Sequence, residues 1–171
     1  GLVKKTLRTM TVCGTPDYMA PEVILSRGHS LPVDWWAIGV LLFEMVGAVT
    51  PFFAEEATEI YENILAHETE DDLEFPNDVT FSPDAKSLIK KLVHPKKQKR
   101  LGVIHPGVRG VKEHPFFRNA KFDWDLLAKC AMKPPLMPNV VDMSKYTTGN
   151  ITYDPKITNT PDDNSGWKLN W

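Results

Sequence analysis

Thr9-Met10-Thr11-Val12-Cys13-Gly14-Thr15-Pro16-Asp17-Tyr18-Met19-Ala20-Pro21-Glu22 carries two kinds of local instruction. Up to residue 20 the chain mixes Thr, Gly and Pro without a helical period, which reads as an irregular loop bearing functional residues. Pro21-Glu22 then reads as a helix start. Proline fits the first turn, where its missing N–H costs nothing, and an acid beside it suits the positive end of the helix dipole.

Downstream of this junction the pattern turns helical. Val33 to Val46 is apolar on nearly every side, yet too short to span a bilayer, which needs roughly 20 apolar residues. It also carries Asp34 and Glu44. A short helix hydrophobic all round is expected at the centre of a soluble core. An amphipathic helix is expected over roughly 55–66, with Ala57, Ile60, Tyr61, Ile64 and Leu65 on its apolar stripe. The acidic run from His67 to Glu74 reads as a solvated surface turn. Ser82-Pro83 signals another helix start, and Ala85, Leu88, Ile89, Leu92 and Val93 repeat the apolar spacing. Lys90 and Lys91 sit where the dipole favours cations. The basic run Lys96-Lys97-Gln98-Lys99-Arg100 follows and reads as solvated. From about 134 the prolines 134, 135, 138, 155 and 161 break any helix, leaving an extended tail whose Trp167 and Trp171 should dock somewhere. The folded part is expected to be mainly α.

Composition bounds the function classes. The chain has 171 residues, 42% hydrophobic and 25% charged, enough for one sizeable core and too apolar for wholesale disorder. A formal net charge of −2 makes no case for a nucleic-acid backbone or an anionic membrane as partner. Cys13 and Cys130, far apart, form neither a metal pair nor a disulfide framework, which suggests a reducing cytoplasm. None of the histidines makes a spaced metal set; His114 before Pro115 reads as packing. The start, Gly1-Leu2-Val3-Lys4-Lys5, is no signal peptide and lacks an initiator Met, so the chain reads as a piece of something longer.

Ala20-Pro21-Glu22, the preceding threonines, Asp34-Trp35-Trp36-Ala37-Ile38-Gly39, Pro51-Phe52-Phe53, Arg100-Leu101-Gly102 and His114-Pro115-Phe116-Phe117 stand in one order. Together they resemble the C-terminal lobe of a eukaryotic protein kinase. The Thr-x-Cys-Gly-Thr-Pro form of the loop is similar to that of the AGC group. Phe122-Asp123-Trp124-Asp125-Leu126-Leu127, Pro134-Pro135-Leu136-Met137-Pro138 and above all Pro161-Asp162-Asp163-Asn164-Ser165-Gly166-Trp167 resemble cGMP-dependent protein kinases. The resemblance covers essentially the whole chain. It implies a partial kinase domain over 1–117, with activation segment and helical C-lobe, and an AGC-type C-terminal extension over 118–171.

The resemblance also implies roles. Thr11 matches the activation-loop phosphosite, whose dianionic phosphate pins the loop by pairing with cations. Lys4 is one such partner; Arg8 is a weaker candidate. Val12, Pro16 and Met19 match the apolar wall that receives the substrate residue after the phosphoacceptor. Thr15 matches the Thr that bridges the catalytic Asp and Lys, which points to Ser/Thr specificity. Gly14 and Cys13 read as backbone geometry and packing. Glu44 matches the acid that receives a substrate Arg, with Tyr18 hydrogen-bonding to it; a carboxylate in an apolar helix needs such a partner. Asp17 stands where the family has a Glu contacting substrate, one methylene longer. Glu22 and Arg100 match a buried structural ion pair, Asp34 the acid that caps the central helix and holds the catalytic loop, and Trp36 a core residue under the activation segment.

A kinase further needs a Gly-rich loop, a Lys–Glu pair, a catalytic Asp and Asn, and a Mg²⁺-binding Asp-Phe-Gly. None is complete in this chain, and Gly1 stands about where the last Gly of Asp-Phe-Gly would stand. The expectation is a C-terminal fragment of a cGMP-dependent-type kinase. Its parent would use ATP and Mg²⁺ and act on proteins with basic residues before Ser or Thr. Its partners would be the missing N-lobe, upstream regulatory domains and an activating kinase. The fragment alone would be inactive. Gly149 to Asp154 departs from the tail's usual Asn-Phe-Asp, so its contact with adenine does not follow. Two other readings stand beside this one: a catalytically inactive kinase-like protein-binding module, and a plain helical interaction domain.

Overall fold

The computed structural model describes residues 14–135; expectations placed on 1–13 and 136–171, including Lys4, Thr11, Val12 and the two C-terminal tryptophans, lie outside the described residues. Backbone contacts divide the chain into two units between Ala131 and Met132, and every described helix lies in the first. No β-strand occurs among the described residues.

A 3-10 turn, Pro16–Tyr18, leads into α1, Pro21–Ile24. Proline opens both, its fixed φ pre-set for the first turn. The long helix α2 runs Pro32–Gly47, again with Pro at its start, and ends where Ala48 adopts a left-handed conformation and donates its N–H to the Glu44 carbonyl. α2 packs chiefly on α4, Pro83–Leu92. The two backbones meet at Gly39: a Cβ there would lie 2.6 Å from Val93 Cγ2 and 2.8 Å from Leu92 Cβ, so only glycine permits the approach.

Ser82 caps α4 by accepting the Ala85 N–H at 3.1 Å, and Ala85, Leu88, Ile89 and Leu92 form its buried stripe, with Val93 buried just beyond. Lys90 and Lys91 occupy its last turn. α3, Ala57–Ala66, starts two residues later than the sequence suggests, and only Ile60 and Ile64 of its expected stripe are buried. Ala57 and Leu65 are exposed because α3 lies at the edge of the core, against α1 and the 3-10 turn. Short helices α5 (Val108–Lys112), α6 (Pro115–Asn119) and α7 (Trp124–Ala128) close the unit.

Two expectations are corrected. α2 is not buried all round: Trp36, Gly39, Val40 and Phe43 face inward, while Ile38, Leu41, Met45 and Val46 are exposed. Burial requires a neighbour on each side, and among the described residues α2 has its main neighbour, α4, on one side. The acidic segment 67–74 is not simply solvated either. His67 and Leu73 are buried, and a 3-10 turn, Glu70–Asp72, is tied by the Asp72 carboxylate accepting the backbone N–H groups of Glu68 and Thr69 at 3.0 and 2.7 Å. The Thr69 N–H and hydroxyl, first, and then the Glu68 N–H hold the Asp72 carboxyl below the usual range.

Candidate functional site

The 3-10 turn at 16–18 is the seat of the site. Thr15 is extended and exposed, its carbonyl accepting the Tyr18 N–H at 3.1 Å. This tight turn presents Asp17 and Tyr18 to different partners. The Thr50 hydroxyl, 33 positions on, donates to Asp17 Oδ1 at 2.7 Å. The Tyr18 hydroxyl donates to Glu44 Oε2, on the C-terminal half of α2. That bond, first, and then burial and the charges of Glu44 and Asp17, push the Tyr18 phenol above its usual pKa, so it remains a donor. Each carboxylate has spare acceptor sites, because an ionised carboxylate offers about four lone-pair positions. The arrangement can accept a guanidinium or ammonium, the charge-assisted case of hydrogen bonding.

Met19 and Ala20, next in the chain, turn inward and are buried in the main core. Pro16 remains half-buried on the turn. Phe52 stacks on Trp36 at 5.6 Å, whereas Phe53 is exposed.

Behind the turn lies an ionic strap. The Arg100 side chain is fully buried. Its Nη1 and Nη2 donate to Glu22 Oε1 and Oε2 at 2.9 and 3.2 Å, a bidentate pair. Nη1 also reaches the Pro32 carbonyl at 2.7 Å, and Nε the His94 carbonyl at 3.1 Å. The guanidinium lies over the Trp36 ring, 5.2 Å from its centroid. One side chain thereby joins α1, the start of α2 and the loop after α4.

Trp36 is fully buried. Asp34 is exposed in the first turn of α2, where its charge suits the dipole. It is not the N-cap; Leu31 holds that position, because the cap falls before Pro32 and Asp34 is two residues inside the helix.

Three contributors were not singled out from the sequence as partners. Nothing local marks Thr50. His67 follows Ile60 and Ile64 at helical spacing, which could have flagged it as inward-facing. Its Nε2 is 3.1 Å from the Val93 carbonyl, joining the ends of α3 and α4 beneath Trp36, and burial lowers its pKa. His114 caps α6 by accepting the Phe116 N–H, beyond mere packing, and burial lowers its pKa too.

Known proteins resemble this sequence in part. The family model described as protein kinase domain matches residues 1–117. The human cAMP-dependent protein kinase catalytic subunit PRKX is 42% identical over 152 residues, covering 86% of this chain and 40% of that protein. A Caenorhabditis elegans cAMP-dependent protein kinase, catalytic subunit-like, is 38% identical over 155 residues, 90% of this chain and 36% of that protein. A RAC family serine/threonine-protein kinase homolog of Dictyostelium discoideum is 41% identical over 158 residues, 92% of this chain and 32% of that protein. The chain thus spans 40% or less of the length of these three relatives.

Proposed function

Because the chain belongs to the protein kinase domain family, with relatives of the AGC type, we propose that it is the substrate-docking part of a serine/threonine kinase, acting on proteins with basic residues before the phosphoacceptor. The observation that carries this reading is the pair of tethered carboxylates: Asp17 held by Thr50, Glu44 held by Tyr18. Fixed acceptors lose little freedom on binding a substrate Arg, and phosphoryl transfer depends mainly on such positioning.

Thr11 is proposed as the activation-loop phosphosite with Lys4 as a partner, Val12 and Pro16 as the apolar wall with Met19 buried in the core behind it, and Thr15 as the support of a catalytic Asp and Lys contributed from outside this chain. Glu22–Arg100, Asp34 and Trp36 are the supporting frame. The tail segment 161–167 supports the cGMP-dependent type; the three relatives carry cAMP-dependent and RAC names, so the nucleotide is a point for experiment. The cytoplasm is the proposed site of action; no helix among the described residues is long and apolar enough to cross a membrane.

The family uses ATP and Mg²⁺. Among the described residues no group of three or more His, Cys, Asp or Glu side chains is placed to hold a metal ion. The proposed roles of this chain are recognition and loop support; by itself it is expected not to transfer phosphate.

Titration calorimetry of the full chain with a peptide bearing two Arg before a Ser tests the reading. Glu44→Gln should weaken binding about tenfold, the equivalent of roughly 1.4 kcal/mol, and Arg→Ala in the peptide should do the same. Equal affinity for both peptides would sink the proposal.

A further inference from the structure

The net charge of −2 hides a sharp segregation. From residue 51 to 85 every Asp, Glu, Lys or Arg is acidic; from 86 to 112 every one is Lys or Arg. The fold brings the two runs to one border. The acidic turn Glu70–Asp72 packs against α4, and Asp71 pairs with Lys90 at 3.0 Å. His94 marks the same border, acted on by the charge of Glu70 from one run and of Lys99 and Lys96 from the other. Away from the border Arg100 and Arg109 pair with Glu22 and Glu113, but other charges of both runs have no such partner among the described residues. Lys91, Lys96 and Lys99 are exposed, as are Glu68 and Glu74, and none has an ion-pair partner among the described residues.

An acidic patch beside a basic patch is self-complementary under a two-fold rotation about their border. Each acidic run then lies over the other copy's basic run, both contacts form at once, and the contact closes as a dimer. We propose that this face, centred on Asp71 and Lys90, is a salt-sensitive homodimer interface. A foreign acidic partner would neutralise only the basic half; a second copy neutralises both. The proposal does not depend on the kinase reading, because it uses none of the docking residues.

Sedimentation velocity of the full chain over a concentration series tests it. At ~0.01 M salt, where charges act over about 30 Å, the mass should rise toward twice that of the monomer; at ~1 M salt, where they act over about 3 Å, it should return to the monomer. Two sets of reversals, Lys96→Glu/Lys97→Glu/Lys99→Glu and Glu68→Lys/Asp71→Lys/Glu74→Lys, should each be monomeric at low salt. Mixed, they should form a one-to-one heterodimer. Where a reversed set fails to fold by circular dichroism, Lys96→Gln/Lys97→Gln/Lys99→Gln serves instead and should weaken low-salt dimerisation. A monomer at every salt overturns the proposal, even one that captures poly-glutamate on the basic run. Association equal at both salts also overturns it, pointing to apolar contact through α2, and so does a mixture that stays monomeric.

Discussion

Glu22 and Arg100 illustrate what one side chain can hold together. Replacing Glu22 with Ala would leave a fully buried guanidinium with only two carbonyls and a Trp face for company. Stranding such a charge costs about 3–5 kcal/mol, and urea denaturation should show a loss of that order. Replacing both partners with apolar residues should cost much less, since the desolvation penalty goes with the charge. Both residues were visible in the sequence because each stands in a recognisable motif, Ala-Pro-Glu and Arg-Leu-Gly. Tyr18 was visible beside Ala-Pro-Glu, and Glu44 because a carboxylate inside an apolar helix needs a partner. Thr50 was not: its tie to Asp17 spans 33 positions, and no local pattern encodes a partner so distant.

At the scale of the element, legibility followed the strength of the local signal. α4 was plain, with a Ser cap, a Pro at its first position and a clean apolar stripe. α2 was plain as a helix but not as to its facing, because a run apolar on every side cannot say which face finds a neighbour. α3 began later than its pattern suggested because Glu55 and Glu56 are good helix formers that in this fold precede the helix, Glu56 taking the cap position. The contact that sets the spacing of α2 and α4 is Gly39. Gly39→Ala gains roughly 1 kcal/mol of helix propensity. Its methyl group would press on Leu92 and Val93, however, and such overpacking costs about 1–3 kcal/mol. The net expectation is a lower melting temperature, whereas a rise would show that the two helices part without cost.

Across the whole molecule, three histidines share one tendency. Burial lowers the pKa of His67, His94 and His114. In the unfolded chain each returns to about 6.5 and binds its proton more readily than in the fold. The resulting stability is complete above that value and is lost as pH falls below it. The urea midpoint should therefore drop between about pH 7.5 and pH 5, and His67→Gln should flatten the drop; a midpoint constant over that window would refute the assignment. The helical class and the order of motifs could be read from the chain, but which histidines lie buried depends on distant segments meeting. The Glu22–Arg100 strap meets across the widest gap of all these ties, 78 positions. A ribosome adds roughly 5–20 residues each second, so Arg100 is made roughly 4–16 s after Glu22. Through that interval Glu22 has no guanidinium to meet, and water, or a chaperone, must keep it company.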